Sequence, residues 1–192
     1  MRKNRLLNLV TGLTILAVAA IAIGSVTAQA PADKVARGEY LVTGGGCSDC
    51  HTTKTMGPSG PALDMTHLLA GHPAALVMPP TRLPEGPWMG VFSGTLTAWA
   101  GPWGVSFAAN LTPDKETGLG AWTETTFVET IRAGRLMGKG RMILPPMPVD
   151  ALRNLTDQDL QAMFAYLQTI PVVVNRVPEP VAPPAPPAPA TK

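Results

Sequence analysis

Five residues, Cys47-Ser48-Asp49-Cys50-His51, concentrate most of the chemistry this sequence offers, and they hold the only two cysteines in 192 residues. The pattern is C-x-x-C-H, the attachment sequence for a c-type haem. Two thiols three positions apart on one helical turn can both add to vinyl groups along one porphyrin edge, and the next residue carries its imidazole under the iron. Cys47 and Cys50 are therefore the candidates for covalent attachment and His51 for an axial ligand, since a neutral imidazole nitrogen binds iron well. A single copy of the pattern implies a single haem. C-x-x-C also serves dithiol exchange, but that chemistry expects an early βαβ pattern, and this chain reads as helix, loops and helix.

The opposite face of such an iron decides between electron transfer and substrate binding. Eight methionines follow Met1, and methionine is a common gap-filler in cores. Met147 is set apart by its surroundings, Pro145-Pro146-Met147-Pro148, downstream of the haem pattern and just ahead of the last helix. Prolines on both sides restrict the backbone, so a thioether can be aimed at small entropic cost. Met147 is the candidate sixth ligand and Met142 its alternative. Met78-Pro79-Pro80 has a similar composition but precedes the second helix. His67 and His72 would allow a bis-histidine iron, although lone loop histidines are more often exposed or hydrogen-bonded. His/Met ligation raises the potential relative to bis-His, so a carrier built this way is fairly oxidising.

Three helices are expected to position these groups. The first runs from about Asp33, as N-cap, through Val35, Gly38 and Leu41 to the glycines 44–46. The second begins after Thr123, presents Phe127, Val128 and Ile131 at helical spacing, and stops at Gly134. Thr156 caps the third, with Asp157 and Asp159 in the first turn and an apolar stripe of Leu160, Met163, Phe164 and Leu167, ending at Pro171. Between His51 and the second helix lies a long stretch rich in Gly, Pro, Met and Trp, a composition of turns and short extended pieces. Thr95 to Trp99 alternates enough for a short strand, with Val105-Ser106-Phe107 as its partner. The fold class expected is mostly α: a helical domain around one covalent haem, with a long Gly/Pro-rich loop insertion that has room for a short β-hairpin. Long loops in a compact domain are usually functional, and this one is expected to wall off the haem edge.

The ends of the chain speak of place. Arg2, Lys3 and Arg5 precede an apolar run from Leu6 to Ile23, and small residues follow around Ala28-Gln29-Ala30, so residues 1–30 read as an export signal. The alternative is an uncleaved membrane anchor, which Asn8, Thr11, Gly12 and Thr14 weaken as a span. Covalent haem attachment takes place outside the energy-transducing membrane, so the expected location is the periplasm or cell envelope. Fifteen Lys plus Arg stand against thirteen Asp plus Glu. Loss of the three signal charges leaves twelve, a balance of minus one, which gives no case for nucleic acid. Residues 31–175 form the expected domain, and 176–192 a Pro/Ala-rich tail with almost nothing to bury. Arg132, Arg135, Lys139 and Arg141 gather ahead of Met147 as a basic cluster suited to haem propionates or an acidic partner, or simply to a solvated helix end.

The arrangement resembles the class I cytochrome c domain, in which Gly38 and Tyr40 would sit where the first helix crosses the last. Asn110-Leu111-Thr112-Pro113-Asp114, Gly118-Leu119-Gly120 with Trp122, Arg132 to Arg135, Pro145 to Pro148 and Leu155-Thr156-Asp157 resemble bacterial envelope cytochromes. That group includes the cytochrome subunits of membrane-bound alcohol and gluconate dehydrogenases, which carry three haem motifs where this chain has one. The resemblance implies a mostly helical fold, haem c, His51 and Met147 as axial ligands, and electron exchange with redox partners: a dehydrogenase, a quinol-oxidising complex or a terminal oxidase. The leading expectation is an electron-transfer protein without substrate chemistry of its own. The alternative is a haem enzyme or gas sensor, peroxidase-like, with an open or labile sixth site.

Overall fold

A computed structural model describes residues 31–84 and 86–183. The expected signal, residues 1–30, and the end of the tail, residues 184–192, lie outside the described residues.

Helix α1 (Pro31–Gly44) packs chiefly against the last helix, α5 (Asp157–Leu167). Their crossing depends on Gly38. A Cβ there would lie 1.9 Å from the Ala162 carbonyl oxygen and 2.8 Å from Tyr166 Cβ, so any side chain would force the backbones apart. Val42, one turn on, is buried on the same face, as i, i+4 spacing requires. Tyr40 corrects the expectation from the resemblance: two residues from Gly38, it points away from the crossing and is 68% exposed, with the Arg37 guanidinium 5.6 Å from its ring centre. Asp33 falls in the first turn of α1 rather than at its cap.

Helix α2 (Cys47–His51) follows after a tight glycine turn in which Gly46 takes φ 67°, a left-handed conformation that glycine adopts without strain. Helix α3 (Glu124–Ala133) starts where Thr123 accepts a hydrogen bond from the Thr126 N–H and ends at Gly134, φ 63°. Short α4 (Val149–Leu152) leads into α5, whose first turn is capped by Thr156 accepting from the Asp159 N–H. Helix α5 stops at Leu167, before the expected Pro171, where the Thr169 N–H turns to the Tyr166 carbonyl at 2.8 Å, an i→i−3 bond that tightens the last turn. Phe127 and Phe164 meet at 5.5 Å between ring centres, and Ile131, Leu160 and Leu167 complete the interior of the helical frame. Each such side chain contributes about 1.5–3 kcal/mol on burial.

The insertion holds more strand than one hairpin. Strands β1 (Lys54–Gly57) and β2 (Gly60–Leu63) form one antiparallel pair, and β3 (Val91–Phe92), β4 (Ala98–Gly101) and β5 (Gly104–Phe107) form a second sheet in the order β3-β4-β5. Trp99 lies opposite Ser106, so the expected partner strand is present. Thr95 and Leu96, however, form a turn rather than strand. The Ser93 hydroxyl accepts from the Thr97 and Ala98 N–H groups and diverts the chain there.

Beyond α5 the chain runs on as an extended strap. Asn175 donates through its side-chain amide to the Ala70 carbonyl at 2.7 Å and the His72 carbonyl at 2.9 Å, and accepts from the Ala74 N–H at 2.9 Å. Val181 exchanges two backbone hydrogen bonds with Val105 in β5, at 2.8 and 2.9 Å. Residues 176–183, expected as free tail, are thus tied to the domain through backbone pairing that composition does not reveal. No helix among the described residues is long and apolar enough to cross a membrane.

Candidate functional site

Cys47, Cys50 and His51 share the single short helix α2. Both thiols are half-buried, and Cys47 packs against the hydrophobic core. Burial pushes the Cys47 and Cys50 thiols above their usual range; nearby Lys54 pulls Cys50 the other way, by less. Activated dithiols have lowered values, so this environment is the reverse of a thiol-exchange site.

The His51 imidazole is 7% exposed and its Nδ1 lies 2.8 Å from the Ala109 carbonyl oxygen. A carbonyl only accepts, so Nδ1 carries the proton and Nε2 is the lone-pair nitrogen. Burial lowers the affinity of His51 for a second proton, against the opposing influence of the Ala109 bond. Every fully buried side-chain nitrogen or oxygen among the described residues has a hydrogen-bond partner. Nε2 makes no hydrogen bond among the described residues. A neutral imidazole with its second nitrogen anchored to a carbonyl is the form in which histidine ligates a metal, and this donor set fits covalent haem.

The anchoring carbonyl is itself held by the backbone. Gly71 N–H donates to the His51 carbonyl at 2.8 Å, Leu69 N–H to the Thr52 hydroxyl at 2.9 Å, and His72 N–H to the Ala108 carbonyl at 2.9 Å. Leu111 N–H closes the web on the Leu69 carbonyl at 2.9 Å. Residues 69–72 therefore link the His51 turn to the segment carrying Ala109. Buried Asn110 accepts from the Thr112 N–H at 2.9 Å and donates to the Val173 carbonyl at 2.8 Å, which holds the turn after Ala109 against the strap. The Asn110 to Asp114 string was thus an indirect signal for Ala109, a residue whose role belongs to its carbonyl and not to its side chain.

Met147 is half-buried in the loop between α3 and α4, whereas Met142 is 60% exposed. The loop is tied at its start by Ile143 N–H to the Gly134 carbonyl, 2.9 Å, and at its end by Val149 N–H to the Met147 carbonyl, 2.9 Å. Between them the Ser106 hydroxyl donates to the Pro145 carbonyl at 2.6 Å. No sequence signal pointed to Ser106.

The histidine alternatives are engaged elsewhere. His72 is fully buried; its Nε2 donates to the Leu76 carbonyl at 2.9 Å, so its Nδ1 accepts from the Thr97 hydroxyl at 2.9 Å. Both nitrogens are occupied. His67, at the surface, lies with Nδ1 2.6 Å from the Asp64 carboxylate. The basic cluster is also partly spoken for. Arg132 bonds to Asp157 and to the carbonyls of Arg153 and Leu155, Arg135 to the Gly140 carbonyl, and Arg141 to Glu179. These ties fasten loop and helix ends. Trp122 packs on the core, Trp99 and Trp103 are half-buried, and Trp88 is exposed.

Comparison with known proteins gives the same class of chemistry. No family model matches the chain. The cytochrome subunit of fructose dehydrogenase from Gluconobacter japonicus is 28% identical over 74% of this chain, and the cytochrome c subunit of gluconate 2-dehydrogenase from Pantoea cypripedii 28% over 78%. One of the subunits of nicotinate dehydrogenase from Pseudomonas putida is 38% identical over 40% of the chain. The chain spans about a quarter of the length of the first two relatives, 22% and 27%, and 6% of the third. Its homologues along most of its length are cytochrome c subunits of dehydrogenases, which agrees with a haem-based role in electron transfer.

Proposed function

We propose that this chain is an electron carrier of the cytochrome c type: a mostly helical domain bearing one covalent haem c, exported to the periplasm or cell envelope, with no substrate chemistry of its own. Cys47 and Cys50 hold the haem through thioether bonds, and His51 and Met147 are the axial ligands of its iron. When bound, the haem supplies one-electron cycling between ferric and ferrous iron. The protein's part is to keep both axial positions filled and the surroundings dry. His51 offers Nε2 because Ala109 occupies Nδ1, and that bond carries the reading, since it gives the imidazole next to the attachment cysteines the tautomer a metal ligand needs. Met147 supplies a thioether, a weak donor that favours the ferrous state. The names of the relatives support a dehydrogenase as electron donor, with a quinol-oxidising complex or a terminal oxidase as further candidate partners.

The test is an optical spectrum of the full chain purified from an envelope fraction, oxidised and reduced, with and without carbon monoxide. The expected result is a low-spin, six-coordinate haem that ignores carbon monoxide and stays on the chain after denaturation. Rapid carbon monoxide binding would overturn the filled sixth site in favour of an enzyme or sensor. Met147→Leu should keep covalent haem but lose the methionine-to-iron charge-transfer band; a variant that retains the band excludes Met147.

A further inference from the structure

Strand β5 touches the Met147 loop at one buried hydroxyl. Ser106 is 6% exposed, and its Oγ donates to the Pro145 carbonyl, two residues before Met147, at 2.6 Å. The Trp103 indole N–H donates to the same Oγ at 3.3 Å. That donor occupies a lone pair, and of the two carbonyls within reach of the hydroxyl proton, Pro145 at 2.6 Å and Trp99 at 3.4 Å, the nearer takes it. The ring lies against bare backbone, for a Cβ at Gly101 would come within 2.4 Å of it.

The mount beneath this contact is held on two sides. One edge of β5 pairs with β4, and Val105, beside Ser106, exchanges both backbone hydrogen bonds with Val181 of the strap. The strap also carries Glu179, which accepts from Arg141 Nε at 3.2 Å near the start of the Met147 loop. Inside the loop, by contrast, Met147 N–H reaches the Leu144 carbonyl only at 3.4 Å. The Ser106 hydroxyl therefore makes the short bond, buried on its own side, between a fixed strand and the loop segment that bears the thioether.

We propose that Ser106, oriented by Trp103, is the positioning residue of the sixth ligand: its grip on the Pro145 carbonyl sets how often Met147 leaves the iron. This rests on the ligation by Met147 put forward above. A thioether is a weak donor, so the open population is governed by what restrains the loop as much as by the iron–sulfur bond. An exogenous ligand binds only the open form, and its apparent affinity scales with the open fraction.

The experiment is a titration of the ferric holoprotein with imidazole, read through the Soret shift in every variant and also through the methionine-to-iron band wherever Met147 is present. Loss of this hydrogen bond should raise the open fraction, so Ser106→Ala is expected to tighten apparent imidazole binding about tenfold. Ser106→Thr keeps the hydroxyl and should return binding to within about twofold of wild type. Trp103→Phe keeps an aromatic ring, smaller than the indole, and loses the N–H, and should tighten binding about threefold. Ser106→Ala added to Met147→Leu should change nothing further. If Met147→Leu opens the site while Ser106→Ala binds imidazole as wild type does, the positioning role is overturned and the ligation stands. If Met147→Leu itself binds as wild type, both readings fall. Should Ser106→Ala yield no holoprotein, Trp103→Phe decides: a Trp103→Phe protein indistinguishable from wild type overturns the proposal.

Discussion

His51 and Met147 are held in opposite ways. His51 sits on a helix with its imidazole buried and Nδ1 bonded to Ala109, and four further hydrogen bonds among residues 51–52, 69–72 and 108–111 fix that carbonyl in place. Met147 lies half-buried in a proline-bounded loop whose middle is fastened by one hydroxyl from another element. Removing one member of a web leaves its neighbours to share the restraint, whereas removing a lone clip leaves nothing in its place. The molecule thus combines a proposed ligand built into the backbone with a second proposed ligand that a single side-chain change can loosen.

The largest expected effect comes from breaking the frame both sides share. Gly38→Val places atoms where the Ala162 carbonyl already lies, a cost of at least about 3 kcal/mol. Chemical denaturation should show a collapse in stability and the yield of holoprotein should fall with it. A wild-type urea midpoint would mean that the α1–α5 crossing tolerates a wider spacing.

Asn175→Ala separates the two sides. It removes three hydrogen bonds that hold the strap to residues 70–74 behind His51, at about 2 kcal/mol of stability. The methionine-to-iron band and the imidazole affinity should stay those of wild type. Ser106→Ala is expected to do the reverse, moving ligation with little change in the urea midpoint. A shift of the iron band in Asn175→Ala would show that the strap governs both ligands together.

The smallest effect concerns pH. The Arg37 side-chain hydrogen bond holds the Asp159 carboxyl below the usual carboxylate range. A carboxyl depressed in the folded state contributes stability that is present at neutral pH and is lost as pH falls through its folded value, because the unfolded chain takes up its proton first. Asp159→Asn should therefore lower the urea midpoint slightly at about pH 7 and not at about pH 2. The loss is modest because the pair lies at the surface. An equal loss at both pH values would assign the effect to the cap of α5 instead.

The helical parts were legible because their signals are local. Thr123 and Thr156 start helices and Gly134 ends one by bonds to groups within a few residues, and the C-x-x-C-H string carries its chemistry in adjacent side chains. Tyr40 was misplaced because a resemblance offered the residue while helical spacing selects Val42. The insertion was poorly legible: the Ser93 turn consumed half of an apparent strand, and β1, β2 and β3 gave no periodic signal.

Spacing along the chain was enough to define the candidate attachment residues, the imidazole beside them and the helices that carry the core. Folding in three dimensions selected which carbonyl orients His51, which hydroxyl restrains the Met147 loop, and that residues 171–183 fasten to both regions. Those partners lie 58, 39 and up to 105 positions apart. A backbone carbonyl such as that of Ala109 has no side-chain signature, so no pattern of residue types could have singled it out.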